Sequence, residues 1–413
     1  MATEQGRRLS FSKRTALKNV VRLIPAAVVI AVMLNLLSCG GGGLLSSDDN
    51  SGSPTATPTG TTATLAYVTN FNDGLVSSFH RNTTTGVLTW SGQVSAGAKK
   101  GPRGVVASPD GSFLYVANIN DDNIYEYSIN SNGTLTKLSP AFVSNGSGTQ
   151  PDELATVATS QTLLWVTGKA GTIKSYTIGS TGQITWTSTT AGGGLQTPFG
   201  ITVHPTLPVL YVSDSTTGYV YPFNYNPTTG ALAPNSSPQH STDPSANSPF
   251  AIAIDSGGDA LFIADQALGE VSSFYIGLTT GSLGALTPYS TFPNNSTSDA
   301  PVGVGIGVNA DTGTEYLFTA DSGTASVSSF TVTSLVIVNS PPTLVTGYTG
   351  ATGLVVDPQN MFVYTANFSN GTVGQATINN GTTCTIQICA NPSRSTESPP
   401  NANSGPFWVT LAQ

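Results

Sequence analysis

"GPRGVVASPDGSFLYVAN", residues 101–118, decides the fold. An apolar run follows Pro102, the turn Pro109-Asp110-Gly111 interrupts it, and a second apolar run ends in Asn118. Pro, Asp and Gly supply tight-turn geometry, and the β-favouring residues on either side read as antiparallel strands. The second run is apolar at nearly every position, whereas a sheet with one wet face would alternate. It must be covered on both faces.

The same writing recurs along the chain. Strand-like runs end at Asn70 in "LAYVTN", Asn118 in "FLYVAN", Gly168 in "LLWVTG", Asp214 in "VLYVSD", Asp265 in "ALFIAD", Asp321 in "YLFTAD" and Asn367 in "FVYTAN". A Pro-x-Gly-like entry into an apolar strand stands at Pro102, Pro151, Pro198, Pro249, Pro301, Gly350 and Pro406. Both markers occur seven times, at intervals of 46 to 56 residues for the first, which suits four strands with their turns. Residues 102–138 divide accordingly into "GVVAS", "FLYVAN", "IYEYSI" and "TLTKL", each followed by a Gly, Asn or Asp turn. Strands buried on both faces in repeated four-stranded units predict an all-β fold, a seven-bladed β-propeller.

The first unit lacks an entry strand, and the last residues, "GPFWVTLAQ", form one with nothing after it. The C-terminal strand is therefore expected to complete the first blade, closing the ring without an open edge. The propeller should span 65–413 as a monomer.

Residues 1–38 read as a leader. Arg7, Arg8, Lys13, Arg14, Lys18 and Arg22 precede an apolar stretch from Leu23 to Leu37, at about 15 residues too short to span a bilayer. The stretch ends in Leu36-Leu37-Ser38-Cys39, which resembles a bacterial lipobox with Cys39 as the lipidated residue. Residues 39–64, rich in Gly, Ser, Thr and Pro, read as a flexible tether. The leader holds six of the 14 basic residues and one of the 22 acidic ones, leaving a net charge of −13 on the rest. Nucleic acid is excluded as a partner, contact with a membrane is expected only through the anchor, and the location is the extracytoplasmic cell envelope.

The "YVTN"-type strands, the Pro-x-Gly entries and the "SPDG" turn resemble those of lactonase-type seven-bladed propellers, which include 6-phosphogluconolactonase-like proteins and surface-layer proteins with YVTN repeats. The resemblance covers about 65–413. It implies either sugar-lactone hydrolysis or a cell-surface interaction role.

In a propeller, the residues after each entry position line the mouth of the central channel: here Arg103, Asp152 with Glu153, Phe199, Phe250, Val302, Ala351 and Phe407. One repeat is odd. It carries Glu153 in place of the usual Gly, and its second strand ends in Gly168-Lys169 instead of Asn or Asp. Lactone hydrolysis needs a base and an oxyanion partner. Glu153 or Asp152 can supply the first, and Arg103 or Lys169 the second. The competing expectation is an ion pair from Arg103 to Asp152 or Glu153 with no catalytic role. Phe199, Phe250 and Phe407 can stack on a ligand or serve as core.

His80, His204 and His240 show no metal-ligand spacing, and neither a metal nor a cofactor is expected. Cys384 and Cys389 suit a disulfide in an oxidising compartment only if "TIQI" bends, because an extended segment holds them too far apart. Two functions follow: an envelope module binding a carbohydrate, peptide or protein, and, as the alternative, a hydrolase acting on a small lactone. The sparse charge and the Phe-rich mouth favour the first.

Overall fold

The computed structural model describes residues 64–191, 193–240, 248–285, 299–308, 313–333, 336–378, 388–389 and 404–412. The leader, Cys39, residues 39–63 of the tether and Cys384 lie outside these residues, as does the side chain of Cys389.

Seven antiparallel sheets carry the chain, and we letter their strands a to d from the channel outwards. In blade 2 these are Pro102–Ala107, Phe113–Asn118, Asn123–Ile129 and Leu135–Ser144. Blade 1 takes its strand a from Pro406–Ala412, which pairs with Thr64–Asn70, so the C-terminal strand closes the ring as its sequence predicts. Outer strands vary more. Strand d of blade 4 is broken into Leu232–Pro234 and Gln239–His240, and that of blade 7 is the stub Ile388–Cys389.

Burial explains the apolar b strands. Leu114 and Val116 pack into a cluster shared with blade 1, while Tyr115 and Ala117 pack into one shared with blade 3. Alternate residues thus leave the strand in opposite directions and both faces are dry. Each of the seven clusters lies between two adjacent blades, the seventh joining blade 7 to blade 1 through Tyr364 and Ala66.

In blades 1 to 4 the aromatic residue at the middle of the b strand does more than fill space. Tyr67 donates its hydroxyl to the Gly133 carbonyl of blade 2 (3.0 Å), Tyr115 to Gly182 of blade 3 (2.7 Å), and Tyr211 to Gly281 of blade 5 (2.7 Å). The Trp165 indole donates to Gly230 of blade 4 at 2.7 Å. Each bond joins a b strand to the c–d turn of the next blade, giving a buried hydroxyl its required partner. Gly182 accepts this geometry at φ +82°, and a Cβ there would lie 2.1 Å from the Phe113 ring.

Candidate functional site at the channel mouth

The ladder between strands a and b bulges at the same point in all seven blades, just inside the entry residue. A bulge re-aims the side chains beside it. The register also corrects one expectation. Ala351, paired with Asn367, is blade 7's counterpart of the entry prolines, so its mouth residue is Thr352 and its glycine is Gly353. Ala351 itself is buried in the core between blades 6 and 7.

The glycine of Pro-x-Gly sits where adjacent a strands approach most closely. A Cβ on Gly104 would lie 2.3 Å from the Asp152 carbonyl oxygen, and Gly200 and Gly303 face the next blade equally closely. Blade 3 breaks the pattern with Glu153. Blade 1 breaks it with Trp408, whose indole packs against the cluster between blades 1 and 2 and also against the one between blades 5 and 6. It therefore reaches across the channel.

Arg103, Asp152, Lys169, Phe199 and Phe407 come together here. Arg103 Nη1 donates to Asp152 Oδ2 at 2.5 Å, and Lys169 Nζ stands 3.6 Å from the same oxygen. The guanidinium lies over the Phe407 ring at 4.1 Å and the Phe199 ring at 5.5 Å. Phe199 in turn packs on Phe250 with centroids 4.5 Å apart. The Arg103 pairing is with Asp152. Glu153 adds its carboxyl beside the pair, its N–H donating to Thr167 Oγ1 at 3.1 Å.

Both carboxyls are buried, Asp152 at 0% exposure and Glu153 at 5%. Burial raises the Asp152 pKa, against the pull of Arg103 and Lys169. Burial raises that of Glu153 well above the carboxylate range, and the charge on Asp152 pushes it further. Burial and the nearby Arg103 lower that of Lys169. Asp152 Oδ1 and Glu153 Oε1 are both buried without a hydrogen-bond partner. The arrangement sets two adjacent buried carboxyls in unequal surroundings, Asp152 against Arg103 and Lys169 and Glu153 beside the charge of Asp152.

Further aromatic residues join them. Phe71 and Phe368, on the b–c turns of blades 1 and 7, lie 6.1 and 6.3 Å from Phe407 and 6.2 Å from each other. Four hydroxyls beside the mouth donate across to the next blade. Thr69 Oγ1 donates to the Arg103 carbonyl at 2.6 Å, Thr167 to Phe199 at 2.8 Å, Ser213 to Phe250 at 2.5 Å and Thr352 to Phe407 at 2.8 Å. The sequence signals Trp408 through its place in "PFW", where a Pro-x-Gly glycine belongs; nothing in the repeat marks Phe71 or Phe368.

The seven-bladed lactonase family model matches residues 59–150 and 154–301, more than half of the chain. The chain belongs to this family, described as "Lactonase, 7-bladed beta-propeller". The matched stretches leave out Pro151, Asp152 and Glu153. Among solved structures, a putative 6-phosphogluconolactonase from Bacteroides fragilis shares 15% identity over 87% of this chain and 100% of that one, with a TM-score of 0.69. A Lactobacillus plantarum protein shares 19% over 85% and 99%, with a TM-score of 0.68. The periplasmic gluconolactonase of Pseudomonas aeruginosa shares 15% over 85% and 99%, with a TM-score of 0.63. At such identities these structures share the fold. No curated protein matches the sequence.

Among the described residues no helix is long and apolar enough to cross a membrane, and no group of three or more His, Cys, Asp and Glu is placed to hold a metal.

Proposed function

We propose that the channel mouth hydrolyses a lactone. The observation that carries this reading is the buried pair Asp152–Glu153, one carboxyl held by two cations and the other pushed towards its protonated form by burial and by its neighbour's charge. Asp152 Oδ1 takes a proton as a water oxygen adds to the lactone carbonyl. Arg103 and Lys169 stabilise the resulting oxyanion. When the ring C–O bond breaks, Glu153 protonates the departing ring oxygen, and the product is a hydroxy acid. Proton return from Asp152 to Glu153 resets the pair. Membership of the lactonase family supports the assignment.

A second reading, a mouth that binds an envelope ligand without turnover, draws support from the burial of both carboxyls and the partly exposed Phe250. Titration of released acid at constant pH separates the two. Glu153→Gln should lower kcat on the order of 100-fold, the usual worth of a positioned proton donor. A wild-type rate no faster than buffer for every lactone tried would leave only the binding reading.

The cellular setting is part of the proposal: the leader and Cys39 deliver the propeller as a lipid-anchored protein outside the cytoplasm. A periplasmic protein among the structural neighbours supports this setting. Incorporation of labelled palmitate, lost in Cys39→Ala, tests it.

A further inference from the structure

We infer that the lactone recognised at this mouth carries an apolar substituent, an alkyl or acyl chain, rather than the hydroxyls of a sugar lactone. The inference rests on the lactone reading above and concerns what the walls of the site can recognise. A sugar lactone presents several hydroxyls, each needing a donor or acceptor if its desolvation is to be offset. Four hydroxyls close to the entry residues, Thr69, Thr167, Ser213 and Thr352, already donate to carbonyls of the next blade. The mouth positions of blades 4, 5, 6 and 1 are Phe199, Phe250, Val302 and Phe407.

Among the residues that follow the entry positions, the charged ones fall in one sector. Arg103, Asp152, Glu153 and Lys169 belong to blades 2 and 3, and their mutual charges fit one carbonyl and its oxyanion. Beside them stands the triangle of Phe71, Phe368 and Phe407, in which Phe71 and Phe368 are partly exposed. The indole of Trp408 reaches across the channel. A ring ester placed on Arg103 thus directs its substituent along phenyl faces, where burying each methylene strengthens binding roughly fourfold.

The test uses the full chain with four probes: γ-nonalactone, δ-decalactone, D-glucono-δ-lactone and 6-phospho-D-glucono-δ-lactone. Acid release and quenching of the Trp408 indole are both followed, with Trp408→Phe as the fluorescence control. The expected result is a kcat/KM for δ-decalactone at least tenfold above that for either sugar lactone. Phe368→Ala should raise its KM several-fold without changing kcat. Equal or better turnover of glucono-δ-lactone would overturn the inference while leaving the hydrolase reading intact. Quenching by δ-decalactone without acid release would remove hydrolysis and keep the ligand class. Neither quenching nor acid release with the alkyl lactones would overturn the inference.

Discussion

The Tyr364 hydroxyl donates to the Gly86 carbonyl at 2.7 Å, so the last repeat bonds the first by the same device that joins earlier neighbours. Removing that oxygen in Tyr364→Phe leaves the ring packed but strips a buried carbonyl of its partner, a loss of about 1 kcal/mol. Urea denaturation should show the midpoint fall with the slope unchanged. An unaltered midpoint would mean that the bond contributes nothing net.

Arg81 of blade 1 and Asp357 of blade 7 form a wholly buried ion pair at 3.0 Å. Breaking it leaves a charge without its counterion in the interior, so Arg81→Met should destabilise by roughly 3 to 5 kcal/mol. Thermal unfolding measures the loss. If Asp357→Asn in the same background restores most of the stability, the stranded carboxylate is the cause; if it restores none, packing is.

His204 is locked in its neutral form. Its Nδ1 accepts the Thr206 and Leu207 amides at 3.1 and 3.0 Å, and Nε2 donates to the Gly258 carbonyl at 2.8 Å. Burial lowers its pKa. The unfolded chain therefore binds this proton more readily, and stability present above about pH 6.5 should be lost as the pH falls below it. Stability curves from pH 8 to 5 should flatten in His204→Asn. A wild-type curve already flat over that window would contradict the assignment.

Glu126 runs the other way. Its Oε1 accepts the Ile184 amide at 2.6 Å in the interface between blades 2 and 3, and burial raises its pKa to about 7. The folded state keeps the proton longer, so its contribution is full below the ordinary carboxylate value near 4.5 and declines as the pH rises towards 7. Glu126→Gln should be more stable than wild type at pH 8 and show little difference at pH 4. Destabilisation at pH 8 would refute the argument.

The ring was legible in the sequence because each b strand is apolar on both faces and each turn uses Gly, Asn or Asp. Closure by the last strand was legible too, from an entry strand missing at one end and spare at the other. Glu153 and Lys169 stood out as departures from the repeat and Arg103 and Asp152 as charged residues of the mouth, and all four fall at one place. The phenyl triangle did not stand out: Phe71 and Phe368 sit in b–c turns, and only the three-dimensional meeting of blades 7 and 1 brings them to Phe407. The one-residue shift at Ala351 had a similar cause, because blade 7 has no proline to fix the count.

The pairing of Trp408 with Thr69 spans 339 residues of sequence. Closing so long a loop adds little to the equilibrium cost, which grows only with the logarithm of length, but contacts of such separation form late. A ribosome making this chain must therefore release nearly all of it before the first blade can gain its inner strand. Until then the inner edge of Thr64–Asn70 stays open to other strands. Crowded nascent chains are thus most vulnerable to aggregation in the interval before Pro406–Ala412 arrives.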